Sequence, residues 1–224
     1  RPHPAAMPAP AEVWGPPWTL DLDELRALRA EADAEVGAVC GPPVAVASVD
    51  DHEVAGVPCR VYDPDPAGSP RPVVVYAHGG GWIGGSITTL DGVCRRLAAG
   101  SGAVVVSVGY RLAPEHRFPA AVDDVDAVVA AVQAGAVDGT DPARVVVAGD
   151  SAGAHLATVA ARRARDAGRP VAHQALVYPV VDAVGIREGD PLVGLDMGFA
   201  RGEMVAYWDA FLPEGGVADL RHPD

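Results

Sequence analysis

Val145-Val146-Val147-Ala148-Gly149-Asp150-Ser151-Ala152-Gly153 is the stretch on which the fold turns. A short β-branched run ends on a glycine, a serine follows two residues later, and a second glycine opens an alanine-rich run over 152–167. The pattern G-x-S-x-G between a buried strand and a helix describes a tight turn that lifts the serine hydroxyl clear of a sheet. Positions 149 and 153 must lack side chains, because a Cβ there would collide with the neighbouring strand or helix. Ser151 then stands at the positive end of the helix, where an alkoxide is favoured. The bland alternative is a glycine-rich turn with an incidental serine, and the flanking strand and helix weigh against it.

Working outward, the runs 73–77, 104–108 and 175–178 are, like 145–148, short, continuous and apolar, as expected of strands buried on both faces of a parallel sheet. Helical patterns over 90–99, 120–134 and 152–167 alternate with them. Val122, Val125, Val129 and Val132 share one face of the second, while Asp123, Asp124 and Asp126 sit in its first turns and suit the helix dipole. Such alternation predicts an α/β sheet with helices on both faces. Upstream, 44–49 and 57–62 read as an antiparallel pair separated by Asp50, Asp51, Gly56 and Pro58. Leu22, Leu25, Leu28 and Arg29 begin a helix over 21–36, which Thr19 or Asp21 would cap. The expected organisation is an N-terminal arm and cap helix over 1–40, a core over 41–182, and a cap insertion with the start of a further part of the core over 183–224, containing a helix near 201–211.

Composition narrows the function. The 224 residues and 49% hydrophobic content suffice for one sizeable core. A net charge of -13 repels phosphate backbones and anionic headgroups, so neither nucleic acid nor a membrane is an expected partner. Cys40, Cys59 and Cys94 have no paired spacing and read as small apolar residues of a reducing compartment. No metal or cofactor is expected, and a cytoplasmic location is the default. A homodimer stays open.

His78-Gly79-Gly80-Gly81-Trp82 follows the run 73–77 directly. Three glycines let backbone N–H groups turn toward a ligand, as a tetrahedral oxyanion requires. The expected donors are Gly80, Gly81 and Ala152, the residue after the serine. The loop lacks the Lys and Ser/Thr of a phosphate-binding P-loop and the spacing of a dinucleotide fingerprint. Trp82 either walls an acyl pocket or belongs to the core.

With HGGGW and GDSAG in hand, the sequence resembles the hormone-sensitive-lipase-like family of α/β-hydrolase carboxylesterases. Tyr110-Arg111-Leu112-Ala113-Pro114-Glu115 and Phe118-Pro119-Ala120-Ala121 agree with that likeness. The resemblance implies an α/β-hydrolase fold with a mostly parallel sheet and a small helical cap, and Ser151 as catalytic nucleophile. It implies loop positioning rather than proton transfer for His78, oxyanion or substrate binding at Gly79, Gly80, Gly81, Trp82 and Ala152, support from Gly149, Asp150 and Gly153, and scaffold roles for Arg111 and Glu115. The expected substrate is a small hydrophobic ester. A non-catalytic small-molecule-binding protein and an arylformamidase-type amide hydrolase are the alternatives.

In this fold the acid and the histidine follow the nucleophile in chain order. Neither of the segments that carry them in the resembled family stands between Ser151 and residue 224, so a chain truncated before its last strands, with its start also missing, is the expectation. Asp182 is the better substitute acid, and His222 the sole histidine late enough, without a strand-loop context to support it.

Overall fold

Valine runs build the centre of the molecule. The computed structural model describes residues 19–40, 42–68, 70–183 and 201–213. In chain order the elements are α1 (Leu22–Cys40), β1 (Ser48–Val54), β2 (Val57–Asp63), β3 (Arg71–Ala77), α2 (Asp91–Ser101), β4 (Val104–Val108), α3 (Ala120–Gln133), β5 (Thr140–Asp150), α4 (Ala152–Asp166), β6 (His173–Val177) and α5 (Arg201–Phe211). The strands form one sheet in the order β1-β2-β4-β3-β5-β6. β2 pairs antiparallel with both β1 and β4, and the run β4-β3-β5-β6 is parallel throughout.

Strand alternation sorts the core into two layers. Val73, Val75 and Ala77 of β3, with Val104, Val106 and Val108 of β4 and Val145 and Val147 of β5, pack against α3, α4 and α5. Val74 and Tyr76, with Val105 and Ala148, pack on the other face against Cys94 and Ala98 of α2. Each valine so buried contributes about 1.5–3 kcal/mol relative to an exposed one, which favours this sheet before any polar contact is counted. Val122, Val125, Val129 and Val132 all face the core from α3, joined by Val128. α4 buries Ala154, Ala157, Ala160, Ala161 and Ala164, small side chains that keep its axis close to the sheet.

Three expectations are corrected. β1 starts at Ser48 and takes in Asp50 and Asp51, and the turn is instead Ala55-Gly56, with φ of 54° and 76°. β1 is a sheet-edge strand whose middle is exposed, so its carboxylates face water. Asp51 lies opposite Arg60 and accepts from its Nε at 2.6 Å and its Nη2 at 3.0 Å, an ion pair that lowers the Asp51 pKa. Second, Asp124 is buried and takes the forked guanidinium of Arg111 instead of merely favouring the dipole of α3. Third, the run at 175–178, patterned like a strand buried on both faces but expected to become an uncovered apolar edge where the sheet stops, is exposed along β6, the outer strand of the described sheet. The arm 1–18, the segment 184–200 and His222 lie outside the described residues.

Candidate active site

The register of the sheet brings the two motifs together. β3 and β5 are neighbours, with Ala77 opposite Gly149, so the glycine loop leaves β3 at the level where the serine turn leaves β5. Ser151 turns the chain with φ 52° and ψ −120°, a conformation costly for a residue with a side chain. Its N–H donates to Val177 O at 2.9 Å, and its carbonyl accepts from His155 N at 3.2 Å, the first turn of α4. The two glycines have the reason expected of them. A Cβ on Gly153 would lie 2.0 Å from Ala77 O and 2.4 Å from His78 O, and one on Gly149 would lie 2.5 Å from the Gly153 carbonyl carbon.

Asp150 ties the turn to the loop. Its Oδ1 accepts from Tyr76 Oη at 2.8 Å and from Gly79 N at 3.1 Å. A Cβ on Gly79 would stand 2.3 Å from Asp150 Oδ2, so this close approach needs glycine. The orientation of the next two N–H groups follows from the planarity of the peptide unit, in which N–H and C=O point in opposite directions. Gly79 O accepts from His78 Nδ1 at 2.8 Å, which turns the Gly80 N–H away from the imidazole. Gly80 O accepts from Gly84 N at 2.8 Å and Ile83 N at 3.2 Å, which turns the Gly81 N–H to the outside of that small turn. Among the described residues no backbone hydrogen bond engages the N–H of Gly80 or Gly81. Gly80 is exposed, and Gly81 and Ser151 are half-buried.

His78 is fully enclosed. Its ring stacks on Tyr110 at 4.2 Å, and Tyr110 Oη donates to the His78 carbonyl at 2.7 Å. Burial lowers its pKa to about 4, so the ring is neutral at physiological pH, with the Nδ1 proton on Gly79 O. Trp82 is 0% exposed and packs on Trp208 at 4.4 Å and Phe211 at 4.6 Å between ring centroids, inside the core beneath α5. His155 joins the same aromatic group edge-on, and burial lowers its pKa to about 4 as well. Asp182 is exposed beyond β6. Arg111 donates to Asp124 from Nε and Nη2, and Glu115 receives Arg29 at 2.7 Å, so both lie in ion pairs that brace the loop over 111–115. Burial by itself would raise the Glu115 carboxyl, and Arg29, a backbone N–H and Arg26 together lower it below the ordinary value.

Sequence reasoning missed three participants: Tyr76, Arg29 and Asp33. A Cβ on Gly81 would meet the Tyr207 ring at 2.2 Å, which shows α5 lying directly on the glycine loop. Arg29 carried a signal that went unused, since it stands one helical turn from the buried Leu25 and shares its face.

A family profile described as alpha/beta hydrolase fold matches residues 74–224. The chain belongs to that family. Among curated relatives, this α/β-hydrolase is 50% identical over 129 residues to carboxylesterase NlhH of Mycobacterium tuberculosis, which covers 57% of this chain and 40% of that protein. It is 47% identical over 133 residues to esterase LipI of the same species, covering 58% of this chain and 42% of that protein. The match thus spans under half the length of these relatives. A hyperthermophilic esterase from the archaeon Pyrobaculum calidifontis superposes with a TM-score of 0.78 at 37% identity, covering 91% of this α/β-hydrolase and 67% of that chain. No described helix is long and apolar enough to cross a membrane.

Proposed function

We propose that this chain carries the nucleophile and the oxyanion hole of a carboxylic-ester hydrolase that works through a serine acyl-enzyme. The observation that carries the reading is the juxtaposition of Ser151, in its strained turn, with two N–H groups whose carbonyl partners are already bound. Ser151 Oγ attacks the ester carbonyl carbon, and the electron pair of the C=O bond moves to oxygen. The N–H groups of Gly80, Gly81 and Ala152 hold that oxyanion, a contribution worth about 3–4 kcal/mol for a single well-placed donor. Collapse expels the alcohol, which takes up the proton that the base received from Ser151, and leaves the acyl group on Ser151; water then attacks the acyl carbon and releases the acid. Carboxylesterase and esterase relatives support this reaction class, and the uncharged substrate agrees with the net charge of -13.

The proton of Ser151 passes to a histidine base outside the described residues. His78 is committed to Gly79 O, and His155 is packed among Trp82, Trp208 and Phe211. His173 opens β6, whereas Ser151 is bonded to Val177 at the other end of that strand. Small hydrophobic esters are the proposed substrates, since the α5 side chains over the loop are aromatic.

Reaction of the full-length gene product containing this chain with a fluorophosphonate probe, followed by mass spectrometry, tests the proposal. A single adduct on Ser151, absent from Ser151→Ala, is expected. A folded protein with no adduct would remove the acyl-enzyme reading and favour a binding role.

A further inference from the structure

We infer that Arg29, on the N-terminal helix α1, is a positioning residue for the oxyanion loop. This rests on the acyl-enzyme reading above. The Arg29 side chain is 18% exposed and spends its donors on three residues. Nε donates to Ile83 O at 2.7 Å, Nη2 to Ala113 O at 2.8 Å and Glu115 Oε2 at 3.1 Å, and Nη1 to Glu115 Oε1 at 2.7 Å.

Those two carbonyls close a circuit around the glycines. Ile83, held through its carbonyl by Arg29, donates its N–H to Gly80 O at 3.2 Å. Ala113, held through its carbonyl by the same guanidinium, donates its N–H to Trp82 O at 2.9 Å. Gly80 O belongs to the peptide unit that carries the Gly81 N–H, so fixing Ile83 fixes the direction of an oxyanion donor. Trp82 has φ 62° and Gly81 φ 60°, left-handed conformations that a free loop would leave readily. A planar guanidinium matches this set of acceptors, whereas an ammonium cannot reach three of them in one plane.

α1 adds a second tie from the same face. Leu25, Arg29 and Asp33 are spaced by single turns, Leu25 is buried, and Asp33 accepts from Ser86 Oγ just past the loop. Ser86 in turn accepts from Thr88 N and Thr89 N, both at 3.0 Å, so the tie reaches a structured turn. α1 is therefore part of the support for the oxyanion donors, over 50 residues away in sequence.

The test uses the full-length gene product with a short-chain ester and the fluorophosphonate probe. Wild type, Arg29→Ala, Arg29→Lys, Ser86→Ala and the control Arg162→Ala, 76% exposed on α4, are compared for kcat, KM and Ser151 labelling rate. Expected are a fall in kcat of at least about tenfold for Arg29→Ala with KM within about twofold, since displaced groups of this kind cost up to about 10²-fold. Arg29→Lys should fall between, and Arg162→Ala should match wild type. Unchanged kcat in folded Arg29→Ala overturns the inference. If that variant does not fold, Arg29→Lys decides: lowered kcat at constant KM supports the clamp, and wild-type kcat overturns it. A wild type without a Ser151 adduct removes the catalytic reading and the clamp together, whereas a labelled wild type with equal kcat in the variants removes the clamp alone.

Discussion

Ser151 shows how much a single residue costs the fold. Its φ of 52° with ψ −120° is stored strain of about 1–3 kcal/mol, tolerated because β5, α4 and the bond to Val177 O leave the turn no other path. Ser151→Gly is expected to raise stability by about 1 kcal/mol, the strain relieved less the extra entropy of glycine in the unfolded chain. Ser151→Ala keeps the strain and should change stability little. Urea denaturation of the two variants separates these effects, and a Ser151→Gly midpoint below that of Ser151→Ala would show that the turn is unstrained. At the same scale, the role of His78 is legible in sequence only as a position before three glycines. That its Nδ1 proton holds Gly79 O, and so aims the next N–H, is decided by the fold of the loop.

At the scale of elements, ion pairs decide how loops sit on helices. Arg111 and Asp124 join the loop after β4 to α3: Asp124 accepts from Arg111 N at 2.9 Å as well as from the guanidinium. Arg111→Ala leaves the Asp124 carboxylate, 9% exposed, with its backbone donor only. Arg111 is itself half exposed, which places the expected loss near the low end for charged hydrogen bonds, about 1.5 kcal/mol. Arg111→Lys should recover only part of it, because an ammonium cannot fork. A urea midpoint unmoved in Arg111→Ala would refute this. The strands of the parallel run were legible because a β-branched run at buried positions has one good solution. β1 was misplaced because an edge strand tolerates carboxylates that sequence patterning assigns to turns. β6 was read as buried from its apolar run, and its exposure depends on having no described neighbour on one side, which no local pattern reports.

Over the whole molecule, burial of two histidines predicts how stability varies with pH. His78 and His155 are both lowered from the ordinary histidine value of 6.5 to about 4. Between those values the unfolded chain takes up protons that the folded chain refuses, so stability is full above about pH 6.5 and is lost as pH falls toward 4. Each histidine accounts for up to about 3 kcal/mol of that loss. Urea midpoints from pH 7.5 to 4.5 should fall in wild type and fall by about half as much in His155→Leu, whose side chain stays apolar. An unchanged slope would mean that His155 titrates normally. Both histidines were visible in the sequence, but their titration depends on Tyr110, Trp82, Trp208 and Phe211, which reach them from other elements. The sequence by itself determined the strand-turn-helix about Ser151, the alternation of buried runs and helices, and the glycines at 79, 80, 81, 149 and 153, because steric demand at a turn and periodic burial are local. Only the tertiary structure decided that Asp150 joins the two motifs, that Tyr207 lies on Gly81, and that Arg29 braces the loop from the far end of the chain. Those contacts arise between residues tens of positions apart, and packing of whole elements, not sequence spacing, brings them within hydrogen-bond range.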